Sequence, residues 1–84
     1  EFILQFRYNI ADGEDTSYIK KLSEYCTTHN LLNSEPSSDK KSLKLTFDIV
    51  LKEEKNLNKF IYEVSNCQGV SESSIVAAQN DIDY

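Results

Sequence analysis

The chain has 84 residues, of which 39% are hydrophobic and 27% charged, with nine basic side chains against fourteen acidic ones and a net charge of -5. That length holds one small domain, and that composition is too apolar for a disordered tail. Nucleic acid is not an expected partner, because phosphate neutralisation needs a clustered basic face. Arg7 is the single guanidinium, and the lysine doublets Lys20-Lys21 and Lys40-Lys41 each lie near acids.

No methionine occurs, so Glu1 is not a translational start and residues 1–84 are expected to be one domain excised from a longer polypeptide. No apolar run approaches the ~20 residues that span a bilayer. The fragment is therefore expected to be soluble, with no membrane insertion of its own. Cys26 and Cys67 stand far apart with one histidine between them, which is not the spacing of a zinc or redox motif; two reduced, semi-buried thiols are expected.

Residues Phe2 to Asn9 alternate, with Phe2, Leu4, Phe6 and Tyr8 on one face and Ile3, Gln5, Arg7 and Asn9 on the other, which predicts a half-buried strand. Asp12-Gly13 ends it, and Asp15 or Thr16 is placed to cap a helix. Tyr18, Ile19, Leu22, Tyr25, Cys26 and His29 then recur at helical spacing, with Asn30 as the stop. Leu31 to Glu35 reads as a short strand, and Pro36 to Lys41 as a loop.

The period of two is clearest from Leu43 to Lys52. Leu43, Leu45, Phe47, Ile49 and Leu51 share one face, while Lys44, Thr46, Asp48, Val50 and Lys52 share the other, as in a sheet covered on one side only. Glu53 and Glu54 favour a helix start, and Leu57, Phe60, Ile61 and Val64 form its apolar stripe. Gly69 fits the left-handed position beyond that helix, followed by Val70 as its hydrophobic contact. Ser71 to Ser74 is polar, Ile75 to Ala78 reads as a last strand, and Asn80 to Tyr84 as a frayed acidic end.

The order βαββαβ predicts an α+β, ferredoxin-like sandwich: a four-stranded antiparallel sheet, first and third strands central, with both helices on one face. The chemistry it carries is sparse. The open face has no aromatic residue for base stacking, and two glycines, Gly13 and Gly69, cannot make a phosphate-binding glycine loop. Arg7 is expected to pair with Asp48 across the central strands. His29 is expected to sit at a helix C-terminus, and Asp81 with Asp83 offers too few oxygens for calcium. No catalytic residue, metal site or cofactor is assigned.

The alternating strand Leu43 to Lys52, followed by a helix and then Gly69-Val70 with a short strand, resembles the ACT-like module at the cytosolic C-terminus of certain bacterial membrane proteins. These are the MgtC/SapB family and a group of uncharacterised multi-spanning proteins associated with polyphosphate polymerases. The resemblance implies a non-catalytic regulatory or protein-interaction module on the cytoplasmic side of the membrane, with the parent membrane domain or a second copy of itself as partner. From the alternation itself, such a module is expected to pair through its open sheet face, at Ile3, Arg7, Asp48 and Val50, with Val76 if it points outward, or through an edge strand. As an alternative, ACT domains that bind amino acids do so at the first strand-helix loop, where Asp12 and Gly13 stand here; that position implies a sensor of an amino acid or nucleotide.

Overall fold

In the computed structural model, described over residues 1–12 and 17–78, the chain forms strand β1 (Phe2–Asn9), a 3-10 turn (Ile10–Asp12), helix α1 (Ser17–Tyr25), strands β2 (Cys26–Pro36) and β3 (Ser42–Leu51), a second 3-10 turn (Glu54–Asn56), helix α2 (Leu57–Ser65) and strand β4 (Val70–Ala77). The four strands make one antiparallel sheet in the order β2-β3-β1-β4. This is the expected ferredoxin-like arrangement, with β1 and β3 central.

β1 and β3 pair without a break from Phe2 opposite Ile49 to Asn9 opposite Ser42. Both alternate, so one face collects Leu4, Phe6 and Tyr8 with Leu45, Phe47 and Ile49, all buried. The helices close over that face through Leu22, Tyr25, Phe60 and Val64, which join the same core. Phe60 is fully buried, and its ring centroid lies 5.5 Å from that of Tyr25 on the other helix. The Lys21 ammonium donates to Glu63 Oε1 at 2.9 Å and pins α1 to α2 at the surface.

Two boundaries depart from the sequence reading. The first helix ends at Tyr25 and not near Asn30, so Cys26 and His29 belong to β2, opposite Leu51 and Ile49. Thr27 and Thr28 are β-branched and favour an extended chain, and Cys26 fills the core as well from a strand as from a helix. His29 is therefore no helix cap. β2 runs for eleven residues where a short strand was expected, with bulges between Cys26 and Thr28 and between Leu31 and Asn33. Likewise β4 starts at Val70, taking in the polar run Ser71 to Ser74 as its solvent-facing part. Its ladder with β1 shifts between Gln5 and Arg7, and Glu72 there has a φ of 51°. Gly69 has a φ of 85°, the left-handed conformation expected beyond α2.

Asp15, Thr16 and the segment from Asn80 to Tyr84 lie outside the described residues, so the expected cap and acidic end are not placed.

Two outcomes follow from the core and the helix pair. Phe60→Ala removes a fully buried ring and is expected to cost about 3–5 kcal/mol, a large part of the stability of a domain this size; urea unfolding followed by far-UV circular dichroism measures it. The hydrogen bond from Lys21 holds the Glu63 carboxyl below the ordinary carboxylate range. A depressed folded value means that the stability this carboxylate contributes is present above the unfolded value near ~4.3 and is lost as pH falls through the lower folded one. Glu63→Gln is expected to flatten the acid limb of the stability profile in that window, and an unchanged limb would remove the pair from the account.

Candidate functional site

The side of the sheet away from the helices is uncovered. Cross-strand register arranges it in rows: Asn30, Asp48, Ile3 and Val76; then Asn33, Thr46, Gln5 and Ser74; then Glu35, Lys44, Arg7 and Ser71. Of the residues expected on an interaction face, Ile3 and Asp48 are direct cross-strand neighbours, with Val50 two residues along β3 from Asp48. Val76 points outward beside Ile3 and is exposed, as is Val50.

Arg7 is at the other end, four residues along β1 from Ile3, roughly 13 Å at ~3.3 Å per residue. The expected pair between Arg7 and Asp48 is absent. The register sets Lys44 opposite Arg7 and Asp48 opposite Ile3, and the guanidinium instead meets Glu72, with Nε 3.5 Å from Oε2, and donates from Nη1 to Ser42 Oγ at 3.2 Å. Asp48 Oδ1 is buried without a hydrogen-bond donor among the described residues. A carboxylate so placed interrupts the apolar end of the face, since anything covering it must desolvate a charge further.

The Arg7 end is more built. A depression of about 630 Å³ opens there, lined among others by Arg7, Ile10, Lys40, Lys41, Ser42 and Ser71. Four segments meet around it. The β2-β3 hairpin is closed by Ser37 N–H donating to Ser42 O at 2.9 Å and by Lys40 N–H donating to Ser37 O at 2.9 Å. Asp39 Oδ1 accepts from the Ser37 hydroxyl at 2.7 Å and from Lys41 N–H at 3.0 Å. These bonds, the hydroxyl first, hold the Asp39 carboxyl below its ordinary range, with a smaller contribution from the charge of Arg7.

The hairpin is tied to the first 3-10 turn by Ile10 N–H donating to Lys41 O at 2.9 Å, and Asn9 Oδ1 accepts from Ala11 N–H at 2.9 Å. Asn9 N–H donates to Gly69 O at 2.8 Å, which fixes the approach to β4.

The ligand position expected at the first strand-helix loop borders this depression through Ile10 and Ala11. Asp12 closes the 3-10 turn, and Gly13 lies outside the described residues. No site was expected at Lys40, Lys41, Ser42 and Ser71; sheet register is what brings Arg7 and Ser71 to the hairpin residues. The available signal was a lysine doublet ahead of a serine in a hairpin loop. Nor were Leu31 and Leu32 singled out, which stand exposed on the outer edge of the sheet. Among the described residues no group of His, Cys, Asp and Glu is arranged to hold a metal ion, and no helix is long and apolar enough to cross a membrane.

No protein-family model matches the chain, and no curated protein matches it. Among solved structures, the chain is similar to the solution structure of the C-terminal domain of the MgtC protein from Mycobacterium tuberculosis, with a TM-score of 0.57 over 92% of this chain and 85% of that one, at 16% identity. The two share a fold. The likeness agrees with the group that the sequence resembled, and at this identity it speaks for architecture and not for a site.

Neither cysteine is in a disulfide. Cys26 is buried in the core, and desolvation pushes its thiol up to about 11, so its nucleophilic thiolate is scarce at neutral pH. Cys67 is half-buried, its Sγ 3.4 Å from Glu63 O. Reaction with a disulfide reagent at pH 7 is expected to spare Cys26 until denaturant is added; prompt labelling of Cys26 in the native protein would contradict its burial.

Proposed function

We propose that this chain is a non-catalytic interaction module, carried on the cytosolic side of a membrane protein, that associates with a second copy of itself along the β2 edge. The observation that carries this reading is β2 itself. It is an edge strand of eleven residues with no lysine or arginine and Glu35 as its one acid, and it exposes two adjacent leucines at its middle, Leu31 at 53% and Leu32 at 57%. Edge strands of soluble domains are ordinarily blunted by lysine, by brevity or by cover; here only the two bulges and the closing Pro36 serve that purpose.

The strand is also self-complementary. Laid antiparallel on itself about Leu31 and Leu32, it sets leucine against leucine, Asn30 against Asn33, His29 against Ser34 and Thr28 against Glu35, with no like charges opposed. The uncovered face is the weaker docking surface, because Asp48 divides its apolar end.

Attachment to a membrane domain is supported by the sequence resemblance and by the shared fold with the MgtC domain. The coding sequence upstream of Glu1 is expected to hold several ~20-residue apolar segments; a lone secretory signal there would overturn the cytosolic placement.

For the edge, sedimentation velocity over a concentration series is expected to show a weak, reversible dimer of the wild-type chain. Leu32→Lys is expected to sediment as a monomer at all concentrations with an unchanged circular dichroism spectrum. A wild-type chain that stays monomeric into the high micromolar range would sink self-association through β2.

A further inference from the structure

We propose that the depression between Arg7, the β2-β3 hairpin and the first 3-10 turn is a binding site for a soluble phosphate ester of nucleotide size. It is separate from the β2 edge and does not depend on the self-association proposed there. Charge favours an anion there. In a chain of net charge -5, three cations among the described residues line this depression, Arg7, Lys40 and Lys41, against one acid, Asp39. The Asp39 oxygen Oδ1 is already engaged within the hairpin by Ser37 and Lys41 N–H. Glu72, at the rim, meets Arg7 only at 3.5 Å and is well exposed, a contact that an entering anion displaces at little cost.

Donor geometry points the same way. Ser42 and Ser71 line the same depression as the three cations, and Ser42 Oγ already accepts from Arg7 Nη1. A guanidinium carries five N–H donors in a fixed fork, and the contacts to Ser42 and Glu72 use Nη1 and Nε. A planar fork in a depression also lined by two lysines and two serines suits the several oxygens of a phosphate better than a single carboxylate.

Size and lining agree. About 630 Å³ lies within the range of small-molecule sites, far more than one inorganic phosphate fills. Ile10, 42% exposed, and Ala11 give it an apolar wall against which the organic part of the ester can lie.

The walls are already in position. Ile10 N–H on Lys41 O, Arg7 on Ser42 and Asn9 on Gly69 O join the 3-10 turn, the hairpin and both central strands, so little ordering is left to oppose binding. One residue also separates function from folding. Lys40 holds a φ of 62°, a conformation that glycine adopts without penalty and lysine does not. A position kept only for the turn would be better served by glycine.

The test is a titration of the 15N-labelled chain at low and at physiological salt with ATP, with inorganic pyrophosphate and with glutamate, followed by amide shifts and thermal unfolding. ATP is expected to move the amides of Asn9 to Ala11, Lys40 to Ser42 and Ser71 in a saturable way that persists at physiological salt. Pyrophosphate is expected to bind more weakly at the same amides, and glutamate not at all. Lys40→Gly is expected to keep or raise the melting temperature while weakening ATP binding about tenfold, the loss of one charge-assisted contact of roughly 1.4 kcal/mol. Lys41→Gln, on an exposed side chain, is expected to weaken it similarly without unfolding the domain.

Shifts that vanish at physiological salt or spread over all the lysines, undiminished binding by both variants, equal binding of glutamate, or no shift at millimolar ATP would each overturn the site.

Discussion

The structure depends on one pairing, that of β1 with β3. Eight consecutive residues of β1 meet eight of β3 without a bulge, and because side chains alternate across a sheet, this single register decides which groups face the helices and which face outward. Leu4, Phe6 and Tyr8 with Leu45, Phe47 and Ile49 make an apolar surface that α1 and α2 must cover. A slip of one residue would turn the apolar set of one strand to solvent and bring Arg7 or Lys44 inward in its place, so the pairing is held by the core rather than by any turn joining the two strands.

The outer strands inherit less constraint. β2 and β4 each pair on one side only, and both ladders contain irregularities that the central one lacks. In β2 the bulges allow a long strand to follow the sheet while Leu31 and Leu32 stay outside the core. In β4 the irregularity at Glu72 brings a carboxylate back towards Arg7. The two ends of the open face differ for the same reason. At one end Ile3, Val50 and Val76 flank a buried carboxylate oxygen, and at the other the strand termini and hairpin converge on a cationic hollow.

Much of this was legible in the sequence where periodicity speaks directly. The strict alternation from Leu43 to Lys52 and from Phe2 to Asn9 named the central strands and their buried faces, and the stripe Leu57, Phe60, Ile61, Val64 named α2. What was not legible falls into two kinds. The end of α1 was misplaced because Cys26 follows Leu22 by four residues and His29 follows Tyr25 and Cys26 by four and three, while the stronger local influence was the β-branched pair Thr27-Thr28. The partner of Arg7 was misassigned because face and register are different quantities. Parity puts Arg7 and Asp48 on the same face, but only the offset of β1 against β3, set by helix packing far along the chain, decides that Arg7 meets Lys44 and Ser42. The hollow was invisible for the same reason, being assembled from Arg7, residues 9 to 11, residues 39 to 42 and Ser71.

The hairpin between β2 and β3 links the two surfaces proposed to carry function, and its geometry keeps them separable. Leu31 and Leu32 lie within the β2 ladder, whereas Lys40 and Lys41 lie beyond Pro36 in a turn closed by its own hydrogen bonds. Sites that share no partner residues ordinarily respond to substitution independently. Independence has a clear meaning for regulation. If occupancy of the hollow leaves self-association unchanged, the module is an assembly surface with an adjoining ligand site. If it changes the dimer constant, linkage requires the dimer to change ligand affinity by the same factor, and the strand that joins the two, β2, is then the element through which a small molecule reports to the rest of the protein.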